Sequence, residues 1–193
     1  NGEDKPYELN ISWWSAMEDS SRDSKRFQQE RFILSQLLVM ALKGVPAFYL
    51  PALLGSENDI KRFSMTGERR DLNREKFDFD KLLIQLEDKN SIANKNLTIL
   101  SHAMKIRSKI ISFHPSAVMK CLTKGRSDIV AIQRGVENSS IIAIHNITDN
   151  KLDFSIEDSL TTVGTYFDYL SGKEYGNLNF ILDPFQVLWI GKK

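Results

Sequence analysis

Residues 44–74, GVPAFYLPALLGSENDIKRFSMTGERRDLNR, constrain the fold of this chain more than any other stretch. Residues 45–50 are apolar, carry β-formers and follow Gly44, which can end a helix, so they predict a short buried strand. The twenty-odd residues after it are polar and charged, and Gly55 and Gly67 punctuate them. They read as a long loop. A buried strand feeding a long polar loop is the layout of an α/β site, where chemistry sits beyond the carboxyl ends of parallel strands.

What flanks this stretch sets the rest of the architecture. Before it, RFQQERFILSQLLVMALK predicts a helix. Phe27, Ile33, Leu34, Leu37, Leu38, Met40, Ala41 and Leu42 cover most of its circumference, so it should pack on more than one neighbour. After it, DFDKLLIQLED predicts a short amphipathic helix and residues 92–111 a longer one, which Pro115 stops. From Ala117 the period changes to alternating or β-branched runs, broken by KGRSD, GVENSS and TDNK. These turn signals predict an antiparallel β-domain of about seven or eight strands over residues 117–193. Phe154, Phe167, Phe185 and Trp189 are its expected apolar interior.

One helix-strand-helix unit cannot stand alone as a doubly wound sheet or a barrel. A buried parallel strand needs neighbours on both sides, and none precedes or follows it here. The chain opens on Asn1 in mid-phrase with no leader-like segment, so it is expected to be a piece of something longer. The uncovered sides of residues 45–50 and of the helix over residues 27–42 then predict self-association of the chain.

Composition removes several function classes. A net charge of +1 gives nucleic acid or an anionic membrane no reason to bind. KRFSMTGERRDLNREK is basic, but interleaved acids offset it. No segment approaches the ~20 apolar residues of a membrane span. The single Cys121 rules out an internal disulfide framework and points to a reducing, cytoplasmic compartment. His102, His114 and His145 fall in different elements without metal-ligand spacing, so no metal is expected. Adjacent Trp13 and Trp14 offer a sugar-stacking platform, or a core Trp beside a rim Trp, the commoner arrangement.

The central residues carry a resemblance. GVPAFYLPALLGSEND and MTGERRDLNR resemble the eighth barrel strand and following loop of glycoside hydrolase family 13, the α-amylase family. Within it they resemble the sucrose phosphorylase group and its relatives that phosphorolyse glucosylglycerate or similar glucosides. YELNISWW is similar to that group's segment after the seventh strand, and the terminal β-run to the family's C-terminal sandwich.

This resemblance implies an α/β part plus an all-β part. Residues 1–115 would be the last part of a (β/α)8 barrel, and residues 116–193 an antiparallel β-sandwich domain. It also implies a retaining mechanism with two carboxylates, one attacking the anomeric carbon and one protonating the leaving group. Those residues, and a third acid, lie at earlier strands in the family and would precede Asn1. No catalytic residue is therefore expected in this chain, which alone should be silent.

Three positions match substrate-holding residues. Arg70, the first Arg of RDLNR, matches the position that helps hold the glucosyl ring, a task suited to a planar fork of donors. Within the chain alone it is expected to stand exposed or to borrow a local acid such as Asp71 or Glu57. Tyr7 and Glu8 match a Tyr-Gln pair on the acceptor side, and Glu in place of Gln sets this chain apart from the sucrose pattern. The implied partners are an α-glucoside and inorganic phosphate as co-substrate, with no cofactor. The alternatives are a hydrolase of the amylase type and a non-catalytic module that binds carbohydrate or a partner.

Overall fold

The computed structural model describes residues 8–18, 25–136, 139–156 and 165–192. Five α-helices are α1 (Gln28–Ala41), α2 (Leu50–Leu54), α3 (Ile60–Thr66), α4 (Phe79–Glu87) and α5 (Ile92–Arg107). Short 3-10 helices cover Ser15–Met17, Arg69–Asn73 and Ile111–Phe113. Eight strands follow: β1 (Met119–Cys121), β2 (Ile129–Arg134), β3 (Ile141–Asn146), β4 (Leu152–Ser155), β5 (Tyr166–Asp168), β6 (Glu174–Tyr175), β7 (Asn179–Leu182) and β8 (Val187–Lys192). They form two compact units, one of Asn1–Gln28 with Phe48–Thr98, the other of Gln29–Ala47 with Ile99–Lys193.

The second unit is a sandwich. Six strands in the order β1-β2-β3-β8-β5-β6, every pair antiparallel, face a two-stranded antiparallel sheet of β4 and β7. Side chains alternate across a strand, so Ile129 and Ala131 of β2, Ile142 and Ile144 of β3, and Leu188 and Ile190 of β8 point to one face. There they meet Phe154, Phe180 and Leu182 of the small sheet. Each Ile, Leu or Phe among them contributes about 1.5–3 kcal/mol on full burial.

The opposite face of the large sheet carries Arg134, Ala143, His145 and Trp189, all buried. α1 and Phe113 cover it: the Phe113 ring lies 4.7 Å from that of Trp189, and Arg134 reaches the end of α1. β3 is therefore buried along its whole length. That is why IIAIHN reads as a continuous apolar run and not as an alternation.

In the first unit Trp14, Leu54 and Ala93 are buried. Gly55 ends α2 in the left-handed region at φ 69°. A Cβ there would lie 2.7 Å from Ile92 Cγ2, so only glycine fits both the turn and the close approach.

Four expectations need correction. Residues 45–49 form no strand: they are irregular, and Val45 is 80% exposed. Local β-propensity makes a strand only where a ladder partner pairs with it, and these residues have none among the described strands. The long polar loop contains α3 and a 3-10 helix, because Asp59 and Gly67 cap seven residues between them. α1 is not an uncovered helix, since Phe32, Leu34, Leu37, Met40 and Ala41 are buried. Within the sandwich Phe154 is interior as expected, whereas Trp189 is buried on the opposite face of the large sheet against Phe113, and Phe167 and Phe185 are only half-buried. Tyr166, on the other side of its strand from Phe167, takes the core position.

Candidate functional site

The site is built by the loop that follows α2. Asp59 starts α3 by accepting a hydrogen bond from the Arg62 backbone N–H at 2.8 Å. Gly67 closes it, its N–H donating to Phe63 O at 2.8 Å. The chain then turns through the 3-10 helix that bears Arg70. Two contacts fold this turn back onto the start of α3. The Asp59 N–H donates to Leu72 O at 2.7 Å, and Arg62 pairs with Asp71 at 3.0 Å. The hydrogen bond from Arg62, followed by one from Thr66, holds the Asp71 carboxyl below the usual carboxylate range.

Within this frame Arg70 is exposed and forked onto Glu8, Nε donating to Oε1 at 3.1 Å and Nη2 to Oε2 at 3.4 Å. Two of the three candidate substrate-holding residues thus meet, from positions 62 apart in the chain. Tyr7, the third, lies outside the described residues. Arg70 is exposed, as expected for the chain alone, but the acid it takes is neither of the two local candidates, Asp71 and Glu57. Arg62 already holds Asp71, and Lys25 stands 3.8 Å from Glu57. Both side chains of the Arg70–Glu8 pair keep a third or more of their surface exposed, so it contributes only about 0.2–1 kcal/mol to stability. Its value is geometric: a guanidinium held in plane by a carboxylate presents its remaining N–H donors in a fixed direction.

The segment carrying Glu8 is tied to the same loop. The Ser12 N–H donates to Asn58 Oδ1 at 2.7 Å, and the Asn58 N–H donates to Ser15 Oγ at 3.0 Å. Sequence reasoning singled out neither serine, and the pairing has no local signal because the partners lie 46 and 43 positions apart. Beside it opens a polar cavity of about 500 Å³ lined by Leu54, Ser56, Asn58, Glu75, Phe77 and Ile92 among others. Of the two tryptophans, Trp14 is core at 3% exposure and Trp13 stands at the rim at 43%. Among the described residues no three His, Cys, Asp or Glu side chains gather as metal ligands. No helix there is long and apolar enough to cross a membrane.

The fold has clear counterparts. A maltotriose complex of AmyP superposes with a TM-score of 0.70 at 14% identity, over 93% of this chain and 38% of that one. An Anoxybacillus α-amylase gives 0.63 at 14% identity, over 86% of this chain and 33% of that one. The architecture is that of α-amylase-like proteins, a C-terminal β-domain with part of a barrel. No family model matches the chain. Over 96% of its length it is 29% identical to a glucosylglycerate phosphorylase of Allomeiothermus silvanus, and over 98% it is 26% identical to one of Escherichia coli. It spans 31% and 33% of those proteins, about a third of the curated relatives it matches. The chain is thus similar to a C-terminal part of longer enzymes, with the fold of α-amylase-like proteins. The curated proteins it is similar to are glucosylglycerate phosphorylases.

Proposed function

We propose that this chain is the C-terminal part of a retaining α-glucoside phosphorylase that transfers a glucosyl group from glucosylglycerate, or a closely similar glucoside, to inorganic phosphate. The observation that carries this reading is the similarity to glucosylglycerate phosphorylases along almost the whole chain. Glu8, where sucrose phosphorylases carry Gln, departs from the sucrose pattern, and its carboxylate admits an anionic acceptor such as glycerate only when screened by a cation, here Arg70.

The division of labour follows from the chemistry. A nucleophilic carboxylate and a carboxylic acid form and resolve a glucosyl-enzyme. By family resemblance both stand in the part of the enzyme upstream of this chain. Arg70 contributes the fixed fork that holds the donor ring, and Tyr7 and Glu8 line the acceptor side. Phosphate attacks the anomeric carbon of the intermediate and leaves as glucose 1-phosphate with retained configuration. No cofactor is proposed, and the expected compartment is cytoplasmic, in keeping with the single cysteine.

The test is the full-length enzyme incubated with glucosylglycerate, with and without phosphate. Glucose 1-phosphate of α configuration, formed only with phosphate, is the expected product. Free glucose released at the same rate without phosphate would make the protein a hydrolase instead. This chain alone, given sucrose or glucosylglycerate with phosphate, should form no glucose 1-phosphate above a blank.

A further inference from the structure

We propose that Asn58 is a positioning residue that sets where Glu8 stands against Arg70. The inference rests on the reading of Arg70 and Glu8 as substrate-holding groups, and it gives a role to a residue that the resemblance includes only as part of the GSEND motif.

The two side chains that meet are carried by segments distant in sequence, and a largely exposed ion pair is too weak to hold those segments in register. Asn58 does so from both sides. Its Oδ1 accepts from the Ser12 N–H at 2.7 Å, its own N–H donates to Ser15 Oγ at 3.0 Å, and the Ser15 N–H donates to Ser12 Oγ at 3.1 Å. The three bonds close a ring, so residues 12 and 15 are each fixed relative to residue 58. Ser12 is buried, which makes an unmatched N–H there costly. On its other side Asn58 adjoins Asp59, whose N–H bonds to Leu72 O two residues beyond Arg70. Asn58 thus links the strand of chain bearing Glu8 to the turn bearing Arg70 by a short run of hydrogen bonds. A further tie, Asn73 Nδ2 to Ile11 O at 3.5 Å, is longer and weaker.

The side chain serves here as an acceptor, and that distinguishes positioning from bulk. Asn58→Leu keeps the size and removes the acceptor. Asn58→Asp keeps an oxygen for the Ser12 N–H. The experiment measures both variants in the full-length enzyme, by hydrogen exchange over residues 8–17 and by phosphorolysis of glucosylglycerate. Asn58→Leu should speed exchange in that segment and lower kcat/KM about tenfold. Asn58→Asp should restore most of both. If Asn58→Leu does not fold, Ser15→Ala, which removes one bond of the ring, must shift exchange in the same direction. Unchanged exchange in Asn58→Leu overturns the proposal. So does faster exchange with unchanged kcat/KM, or an equal loss in Asn58→Asp. If the unaltered enzyme shows no phosphorolysis, the functional reading fails, and exchange alone then decides whether Asn58 holds the segment.

Discussion

Arg134, on β2, donates from Nη1 to the carbonyl of Ala41, the last residue of α1, at 2.9 Å. The same Nη1 reaches Leu42 O at 2.6 Å, and Nη2 reaches His114 O at 2.8 Å. The final carbonyls of a helix have no partner inside it, and here a fully buried guanidinium supplies one. Arg107 adds a second cation, donating to Met40 O at 2.9 Å and Gly44 O at 3.1 Å. Both arginines suit the negative end of the helix dipole.

Replacing Arg134 therefore exposes a dependence of the second unit on one side chain. Arg134→Lys keeps the charge but cannot span three carbonyls, and should cost roughly 1–3 kcal/mol. Arg134→Ala, which strands all three, should cost more. Urea denaturation read as a shift in midpoint at constant slope measures both. Equal stability of Arg134→Ala and the parent would mean that water satisfies those carbonyls.

Arg70 and Arg69 are neighbours with different surroundings. Arg70 is forked onto Glu8, while Arg69 is exposed. Arg70→Lys in the full-length enzyme loses the bidentate geometry, and kcat/KM should fall roughly ten- to a hundredfold. Arg69→Lys should change it little. Small and equal effects would reduce Arg70 to a loop charge.

His145 gives the second unit a pH dependence. Full burial lowers its pKa to about 4, and the Val130 and Leu37 carbonyls near the ring offset this only in part. In the unfolded chain it takes up a proton below about 6.5. Between those values only the unfolded state carries that proton, so stability falls as pH drops from 6.5 toward 4, by at most about 1.4 kcal/mol per pH unit from this group. His145→Gln should flatten that part of the curve. A slope unchanged by the substitution would assign it to the carboxylates.

Self-association of the isolated chain is a further expectation, which rests on Val45, within the stretch expected to be uncovered, and on exposed side chains of α4. In the first unit Phe79 is 71% and Ile84 67% exposed on the same short helix, and in the second unit Val45 is 80% exposed. Apolar surface of this kind gathers partners. Light scattering should show a mass above one chain that falls when Phe79 and Ile84 are both changed to Ser. A monomer at all concentrations would refute it.

The sequence alone determined the elements whose pattern is local. The switch of period after Pro115 marked the β-domain, whose first strand begins at Met119, and apolar spacing marked α1, α4 and α5. The caps of α3 were also present, Asp59 before it and Gly67 after it, but a seven-residue polar helix carries no apolar stripe to reveal it. Residues 45–50 show the limit of such reading. Their composition suits a strand, yet a strand exists only when another backbone accepts and donates its hydrogen bonds, and composition does not contain that partner. Tertiary structure alone decided that Glu8, and not the nearby Asp71 or Glu57, takes the Arg70 fork. It alone decided that a strand arginine caps a helix 93 residues earlier. Both depend on the path of the folded backbone between distant residues, and no local propensity encodes a distance across the fold.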